Sequence, residues 1–358
     1  MSDMQQYRID SHKLHLHPQR VSRWLEGETV APIYLEVSPS GSCNHRCRFC
    51  GMDFMGYKTR FLPTDIFSQR LAELGQLGVR AIMYAGEGEP FLHREMSQLA
   101  KNTKAAGIDV AFTTNGVLLR PEVAREVLPV TTWIKVSCNA GTPHTYAHVH
   151  GTKHEDFERV MANIAVALRL REDLRSTCTL GFQMLLLPEN RQDAVPLAQR
   201  VRDLGADYLV IKPYAVHRLS LRTEYRELTY GDCSALAQEL SALNTPRFKV
   251  IFRHETLRRR EHPIHAHHRC LALPFWGYVD ASGMLWGCLR HIGEEKFAYG
   301  NLCETDAAEV LHGRRRQENM AWCEEHLDIE ECHVACRMET VNDYLWELKQ
   351  PATHVNFI

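Results

Sequence analysis

The chain has 358 residues, 44% of them hydrophobic and 24% charged, enough apolar material to offset chain entropy and exclude disorder as the main state. Lys and Arg number 42 against 44 Asp and Glu, a formal charge of −2, so the basic excess of a dedicated nucleic-acid binder is missing. No apolar run approaches the ~18 residues of a bilayer span, and the polar start MSDMQQYRIDSHKLHLH lacks a signal-peptide core, so a cytoplasmic protein without membrane partners is expected.

Residues 1–30 read as a polar extension. Short β-rich runs bounded by Gly, Pro or Asn then predict strands at 33–39, 81–86, 109–116, 133–141, 179–187 and 208–215. Between them, amphipathic runs predict helices at 64–77, 94–106, 121–128, 154–170 and 191–204. Alternation of this kind implies parallel strands joined by right-handed crossovers. Six such units are too few for a closed eight-stranded barrel, so the expected fold class is α/β, a partial (β/α)6 TIM-like barrel over 31–222. In such barrels function sits in the loops that follow the C-terminal strand ends. After residue 222 the rhythm changes: a helical stretch at 232–243, a basic loop RRREHPIHAHHRC, a hairpin-like FWGYVDASGMLWGC with Ser282-Gly283 at the turn, and a helical tail at 340–348. These make a second, small α/β domain over 223–358. The histidines of HPIHAHH are expected in a solvated loop, titrating near neutrality.

Twelve cysteines and 20 histidines are many for a cytoplasmic chain, and in a reducing compartment such cysteines are metal ligands or reactive thiols sooner than disulfides. Three lie between Cys43 and Cys50 and six between Cys270 and Cys336, which suggests two metal centres. The first group, SPSGSCNHRCRFCGMD, follows the first strand with spacing C-x3-C-x2-C. A zinc knuckle is the plain reading, but structural zinc usually takes four protein ligands in two pairs. Three thiolates on one loop suit a four-iron cluster with one iron open to a ligand.

With Phe49 ahead of the last cysteine, this segment resembles the cluster loop of the radical S-adenosylmethionine (radical SAM) enzymes. The resemblance implies a 4Fe-4S cluster on Cys43, Cys47 and Cys50 whose open iron binds SAM, reductive cleavage to a 5′-deoxyadenosyl radical, and abstraction of a substrate hydrogen. An external electron donor such as flavodoxin or ferredoxin is implied with it. At the second strand end, MYAGEGEPFLH resembles the family's glycine-rich turn, with Gly86 and Gly88 admitting the methionine part of SAM and Glu89 accepting from its ammonium. TTNG at the third strand end places Thr114 and Asn115 near the cofactor, unless it is a plain polar turn. VSCNAGTPHTYAHVHGT at the fourth resembles the ribose-contacting segment, with Ser137 and Asn139 as candidates, although the family more often has Asp at or beside Asn139. Cys138 is either packed in the barrel wall or a hydrogen donor to a radical, and alternation along the strand points it away from the lumen. Gln183 would flank the adenine. Lys212, an unexplained lysine in an apolar strand, and Tyr214 would face the cavity mouth toward substrate.

Cys270 and Cys288 are spaced C-x12-G-x4-C around Gly283, and Cys323, His326, Cys332 and Cys336 follow as C-x2-H-x5-C-x3-C. This resembles the SPASM/twitch module that carries auxiliary iron–sulfur clusters, so the likeness runs over about residues 33–348. His326 stands where the full module has cysteine, and no cysteine follows Cys336. One auxiliary 4Fe-4S cluster is therefore implied, on Cys270, Cys288 and Cys336 with Cys332 as fourth ligand, while Cys323, His326, or one of His265, His267 and His268 are possible substitutes. Zinc on the same mixed set is the alternative. The resemblance implies oxidation or epimerisation of a small polar substrate, sugar-, aminoglycoside- or nucleoside-like. Modification of a ribosomal peptide, or a non-catalytic iron–sulfur electron carrier, are the other readings.

Overall fold

The computed structural model describes residues 7, 9, 11–215, 217–261, 264–332 and 336–357. Helix α1 (Pro18–Leu25) precedes strand β1 (Tyr34–Val37), and a long loop carrying the first cysteines leads to α2 (Thr64–Leu77). The chain then alternates through β2 (Ala81–Tyr84), α3 (Met96–Ala105), β3 (Asp109–Thr114), α4 (Pro121–Val127) and β4 (Thr131–Ser137). Two helices, α5 (Pro143–His150) and α6 (Glu155–Asp173), lead to β5 (Thr179–Leu186), followed by α7 (Ala194–Asp203) and β6 (Tyr208–Pro213). Beyond these lie α8 (Ser234–Ser241), β7 (Lys249–Phe252), α9 (His254–Glu261), β8 (Trp276–Val279), β9 (Met284–Trp286) and β10 (Ala298–Asn301). The chain closes with α10 (Ala307–His312), α11 (Arg314–His326) and α12 (Glu339–Lys349).

All strands join one sheet in the order β10-β9-β8-β1-β2-β3-β4-β5-β6-β7. Every pair from β1 to β7 is parallel, as the alternation of strands and helices requires. The six expected strands are all there, and β7 carries the parallel run one strand further. At the other edge β8 pairs in parallel with β1, Tyr34 opposite Trp276, and then turns back through β9 and β10 as an antiparallel meander. The Ser282-Gly283 turn falls where the sequence put it, with Gly283 N donating to Asp280 O at 2.9 Å.

Alternation along each strand sorts the side chains into two sets. Leu35, Val37, Ile82, Tyr84, Val110, Phe112, Ile134, Val136, Leu180, Phe182, Leu209 and Ile211 are buried in the main core with Phe67, Leu71 and Leu74 of α2. The other set, including Tyr34, Met83, Ala85, Ala111 and Trp133, packs together on the concave face. The same parity puts Glu36, Lys135, Ser137, Gln183 and Lys212 on that face, which is the barrel lumen.

From Leu14 onward the N-terminal extension is packed against the rest of the chain. Leu14 and Val21 pack with Val30, Leu271, Phe275 and Leu345, and Trp24 joins them, so α1 is fastened to the C-terminal half. Arg316, 1% exposed, donates to Val30 O and Leu311 O and to Pro274 O, tying the same parts together from inside.

Candidate cluster and cofactor site

The loop after β1 is held on several sides. Glu89 N donates to Ser42 O at 2.9 Å, Arg46 N to His150 O at 3.1 Å, and Arg48 N to Val149 O at 3.0 Å. Asp53, 4% exposed, accepts from Ser220 Oγ and from the backbone N–H groups of Leu221 and Arg222, so the segment after β6 closes over the loop. On this frame Cys43, Cys47 and Cys50 are all half-buried thiols. Burial pushes Cys47 well up, and Cys50 and Cys43 add to it. Cys43 is pushed up to about 12 by burial, then by Glu89, with Cys50 contributing. Three thiolates this close in a dry pocket need a polycationic centre to be charged together, and that is the donor chemistry of a cluster site.

Two side chains that the sequence reading passed over complete the surroundings. Tyr57 hydrogen-bonds Cys50 and lies under the Arg46 guanidinium at 4.1 Å. His150 accepts from Asn139 N at Nε2, 3.0 Å, so its ring proton sits on Nδ1, which faces Cys47 Sγ at 3.5 Å. Burial and then His45 hold this ring neutral. Ligand atoms of His45, Cys47 and His150 lie within 4.8 Å of one another. The only sequence signal was the density of histidines in HTYAHVHG.

Glu89 is the hub of the next layer. It is 3% exposed and accepts from Thr114 Oγ1 at 2.6 Å, Asn115 N at 2.8 Å and Phe91 N at 3.3 Å. Burial pushes its carboxyl up to about 7 against those three bonds. Asn115 Nδ2 donates to Asn44 Oδ1 at 2.7 Å, reaching into the cysteine loop. The strand ends carrying Glu89, Thr114 and Asn115 and the loop carrying Cys43 are thus one hydrogen-bonded unit. Gly88 is the close approach: a Cβ there would lie 2.3 Å from Ser40 O and Ser42 O. Gly86 has φ +112°, a left-handed backbone that a side chain would strain.

Further round the barrel, Ser137 and Gln183 sit opposite each other in the β4–β5 register, and Ser137 Oγ has no hydrogen-bond partner among the described residues. Asn139 is committed to the fold: its Oδ1 accepts from Leu185 N at 2.5 Å and its Nδ2 lies 3.4 Å from His150 Nε2. Cys138 is fully buried in the main core, not the lumen, and burial pushes its thiol up to about 12. Tyr214, 1% exposed, packs against Tyr225, and Cys50 is among the groups acting on it. Lys212 is half-buried in the lumen, and a second half-buried lysine, Lys135, lies on the same face in β4. The sequence carried the same signal at Lys135, a lysine inside the apolar run TTWIKVS, and it went unread.

Residues 37–201 match the radical SAM superfamily. That span opens at the last residue of β1 and takes in the cysteine loop, Glu89, Thr114, Asn115 and Gln183. This segment is a radical SAM domain. Among curated relatives, the GTP 3′,8-cyclase of Chlorobaculum tepidum is 28% identical over 54% of this chain and 57% of its own length. The chain thus spans little more than half of that relative, and less of others. Among solved structures, Streptococcus suis SuiB bound to S-adenosylmethionine superposes with a TM-score of 0.62 at 16% identity, covering 86% of this chain and 72% of that one. The anSMEcpe enzyme with bound AdoMet gives 0.58 at 14% identity, covering 87% and 89%. These likenesses show the fold, and they reach well past the radical SAM domain into the C-terminal half.

Downstream of the radical SAM domain, four thiols from three segments come within electrostatic reach of one another: Cys270 ahead of β8, Cys288 after β9, and Cys332 and Cys336 ahead of α12. Burial pushes Cys270 well up, with Cys288, Cys336 and Cys332 adding in that order. Cys288 is pushed up to about 12 by burial and then Cys336. Asn342 Nδ2 donates to Cys270 Sγ at 3.8 Å and Met338 N to Cys336 Sγ at 3.4 Å, bonds of the kind that surround metal-bound sulfur. Of the possible substitutes, Cys323 is buried on α11 with Cys332 among the groups that act on it. The His326 side chain is 57% exposed and stacks on Trp322, turned to solvent.

The histidine loop departs from the expectation of a solvated patch. His262 and Pro263 lie outside the described residues, but the side chains of His265 and His267 are only 5% and 3% exposed. His265 Nδ1 lies 2.7 Å from Glu339 Oε1 and His267 Nδ1 lies 2.8 Å from Asp343 Oδ1. Both carboxylates come from one face of α12, spaced i, i+4, a pairing invisible until that helix docks. His268 is exposed beside Trp346.

Proposed function

We propose that this chain is a radical SAM enzyme acting on a small polar substrate by hydrogen abstraction, with oxidation or epimerisation as the outcome. The carrying observation is the unbroken hydrogen-bonded unit that joins the Cys43–Cys50 loop to Glu89, Thr114 and Asn115. When bound, the cluster and SAM supply one-electron cleavage and a hydrogen-abstracting radical. Cys43, Cys47 and Cys50 would hold the cluster, and His150 and Tyr57 direct protons at two of those sulfurs. Glu89 would receive the ammonium of SAM in a pocket where the carboxylate is otherwise under strain from burial. Gly86 and Gly88 keep that pocket open to backbone contact, and Ser137 and Gln183 offer polar atoms to the nucleoside part. Asn139 would act from behind, fixing the strand ends. Residues 223–358 form the auxiliary part, with Cys270, Cys288, Cys332 and Cys336 as ligands of a second 4Fe-4S cluster. Flavodoxin or ferredoxin is the proposed electron source.

The test is anaerobic reconstitution followed by reduction with SAM. Wild type should hold about eight irons, four per cubane, and release 5′-deoxyadenosine. The triple Cys43/Cys47/Cys50→Ala variant should keep about half the iron and release none. Equal 5′-deoxyadenosine from the triple variant sinks the proposal, and colourless, zinc-bearing protein in the triple variant reassigns the C-terminal thiols.

A further inference from the structure

The lumen wall is unusual in its charge. Lys135 of β4 lies opposite Gly181 and Lys212 of β6 lies opposite Leu185 in the registers with β5, both on the concave face. Both are half-buried, and neither ammonium makes a hydrogen bond or ion pair among the described residues; Lys135 Nζ only stands over the Trp133 ring at 5.4 Å. Lysine is rarely placed this way without a partner. Their surroundings make the placement worse. Arg253 follows β7 with its N–H on Ile211 O, beside Lys212, and Arg337 reaches in to pair with Glu36. Lys212 is held well below its ordinary range by burial first, then by Lys135, Arg253 and Arg337, with Glu36 opposing; Lys135 is lowered to about 8 by burial, then Arg337.

Among the described residues no carboxylate pairs with Lys135 or Lys212. Glu36 is taken by Arg337. Glu87 accepts from Arg60 and Ala281 N, Asp280 from Ser282 and Trp286 Nε1, and Glu89 is bound at the far strand ends. Two cations without counter-charge in a half-enclosed space are costly to the free protein and strongly attractive to an anion. Arg253, Arg259 and Arg337 also line a cavity of about 130 Å³ that reaches Cys336, together with Glu255 and Glu339.

We propose that the lumen binds the phosphate groups of a phosphorylated small molecule, anchored by Lys135 and Lys212, with Arg253 and Arg337 on the wall toward Cys336. This rests on the radical SAM reading, which places a substrate in the lumen. Two unmatched ammonium groups suit a dianionic phosphate or diphosphate; a single carboxylate leaves one of them unmatched, and a polycationic aminoglycoside is repelled. Among the substrate types open from the sequence, the charge therefore selects a sugar phosphate or nucleotide.

The test uses the anaerobically reconstituted full chain with SAM present. Inorganic pyrophosphate, acetate and the aminoglycoside kanamycin are titrated calorimetrically into wild type, Lys135→Met, Lys212→Met and the double variant. Pyrophosphate should bind wild type, each single variant should weaken it about tenfold or more, and the double variant should abolish it. Because methionine removes a desolvated cation without emptying its space, melting temperatures of the variants should hold or rise. Absence of pyrophosphate binding to wild type, equal binding by the double variant, or acetate or kanamycin binding as tightly as pyrophosphate would each overturn the proposal. So would a fall in melting temperature that accounts for the lost binding, since it marks the lysines as structural. Release of 5′-deoxyadenosine by wild type, measured on the same samples, reports separately on the radical reading.

Discussion

Replacing Glu89 with Gln removes the one negative charge at the centre of the proposed SAM pocket. The structure sets two separate costs. The carboxylate is 3% exposed and accepts at Oε1 from Thr114 and Phe91 and at Oε2 from Asn115 N. A carboxamide keeps an oxygen for the first pair, and its NH2 then faces the Asn115 N–H, donor against donor. That leaves a buried donor unsatisfied and should cost the fold about 1–3 kcal/mol. Separately, the SAM ammonium loses a buried anionic partner, about 2–5 kcal/mol, which is roughly thirty- to several-thousand-fold in Kd. Protonation offers a second reading of the same group. Because the folded carboxyl is raised from 4.5 to about 7, its protonated form suits the free fold: its contribution to stability is fully present below about 4.5 and is lost as pH rises through about 7. Binding an ammonium needs the ionised form, so wild-type SAM affinity should fall about tenfold for each pH unit below about 7. Calorimetric titration of SAM into reconstituted protein from pH 5.5 to 8.5, with melting temperatures alongside, measures both. If Glu89→Gln binds SAM within threefold of wild type, or keeps the same pH slope, Glu89 is not the ammonium partner.

Gly88→Ala drives a Cβ onto two backbone carbonyls of the cysteine loop, which have no rotamer to yield; a loss of about 1–3 kcal/mol and of first-centre iron is expected, read by melting and iron content. Arg316→Met strips three buried carbonyls of their donor and should cost about 3 kcal/mol or more; an unchanged melting temperature refutes the tie between α1, β8 and α11. Cys288→Ala should leave 5′-deoxyadenosine release in excess of product, because the SAM-binding thiols Cys43, Cys47 and Cys50 belong to a separate loop; circular dichroism on the same sample exposes misfolding.

Much of the first candidate site was legible because its parts are local. Three cysteines on one loop and a glycine turn at one strand end are short-range patterns, and strand periodicity set which residues share a face. The same periodicity separated Cys138 from Ser137. What could not be read is what depends on distant segments meeting. Asn139 looked like a ribose contact, yet Leu185 and His150 claim its side chain. His265 and His267 looked solvated because their partners lie on α12, more than seventy residues on. Lys135 was missed although its pattern equals that of Lys212, since one lysine in a strand is odd and only two on one face of the folded sheet suggest a site.

The pairing of β8 with β1 carries a cost in time. Tyr34 meets Trp276, a partner that leaves the ribosome long after it, so one side of β1 stays an open strand edge while the rest of the barrel is made. Contacts this far apart in sequence form slowly. The hairpin that begins with β8 therefore acts as the stopper of the sheet. A chain cut before β8 leaves that edge bare, a template for other strands, and its expected fate is aggregation. Iron delivered to the first three cysteines early in synthesis would meet a loop already framed by β2 and β3 on one side and by nothing on the other.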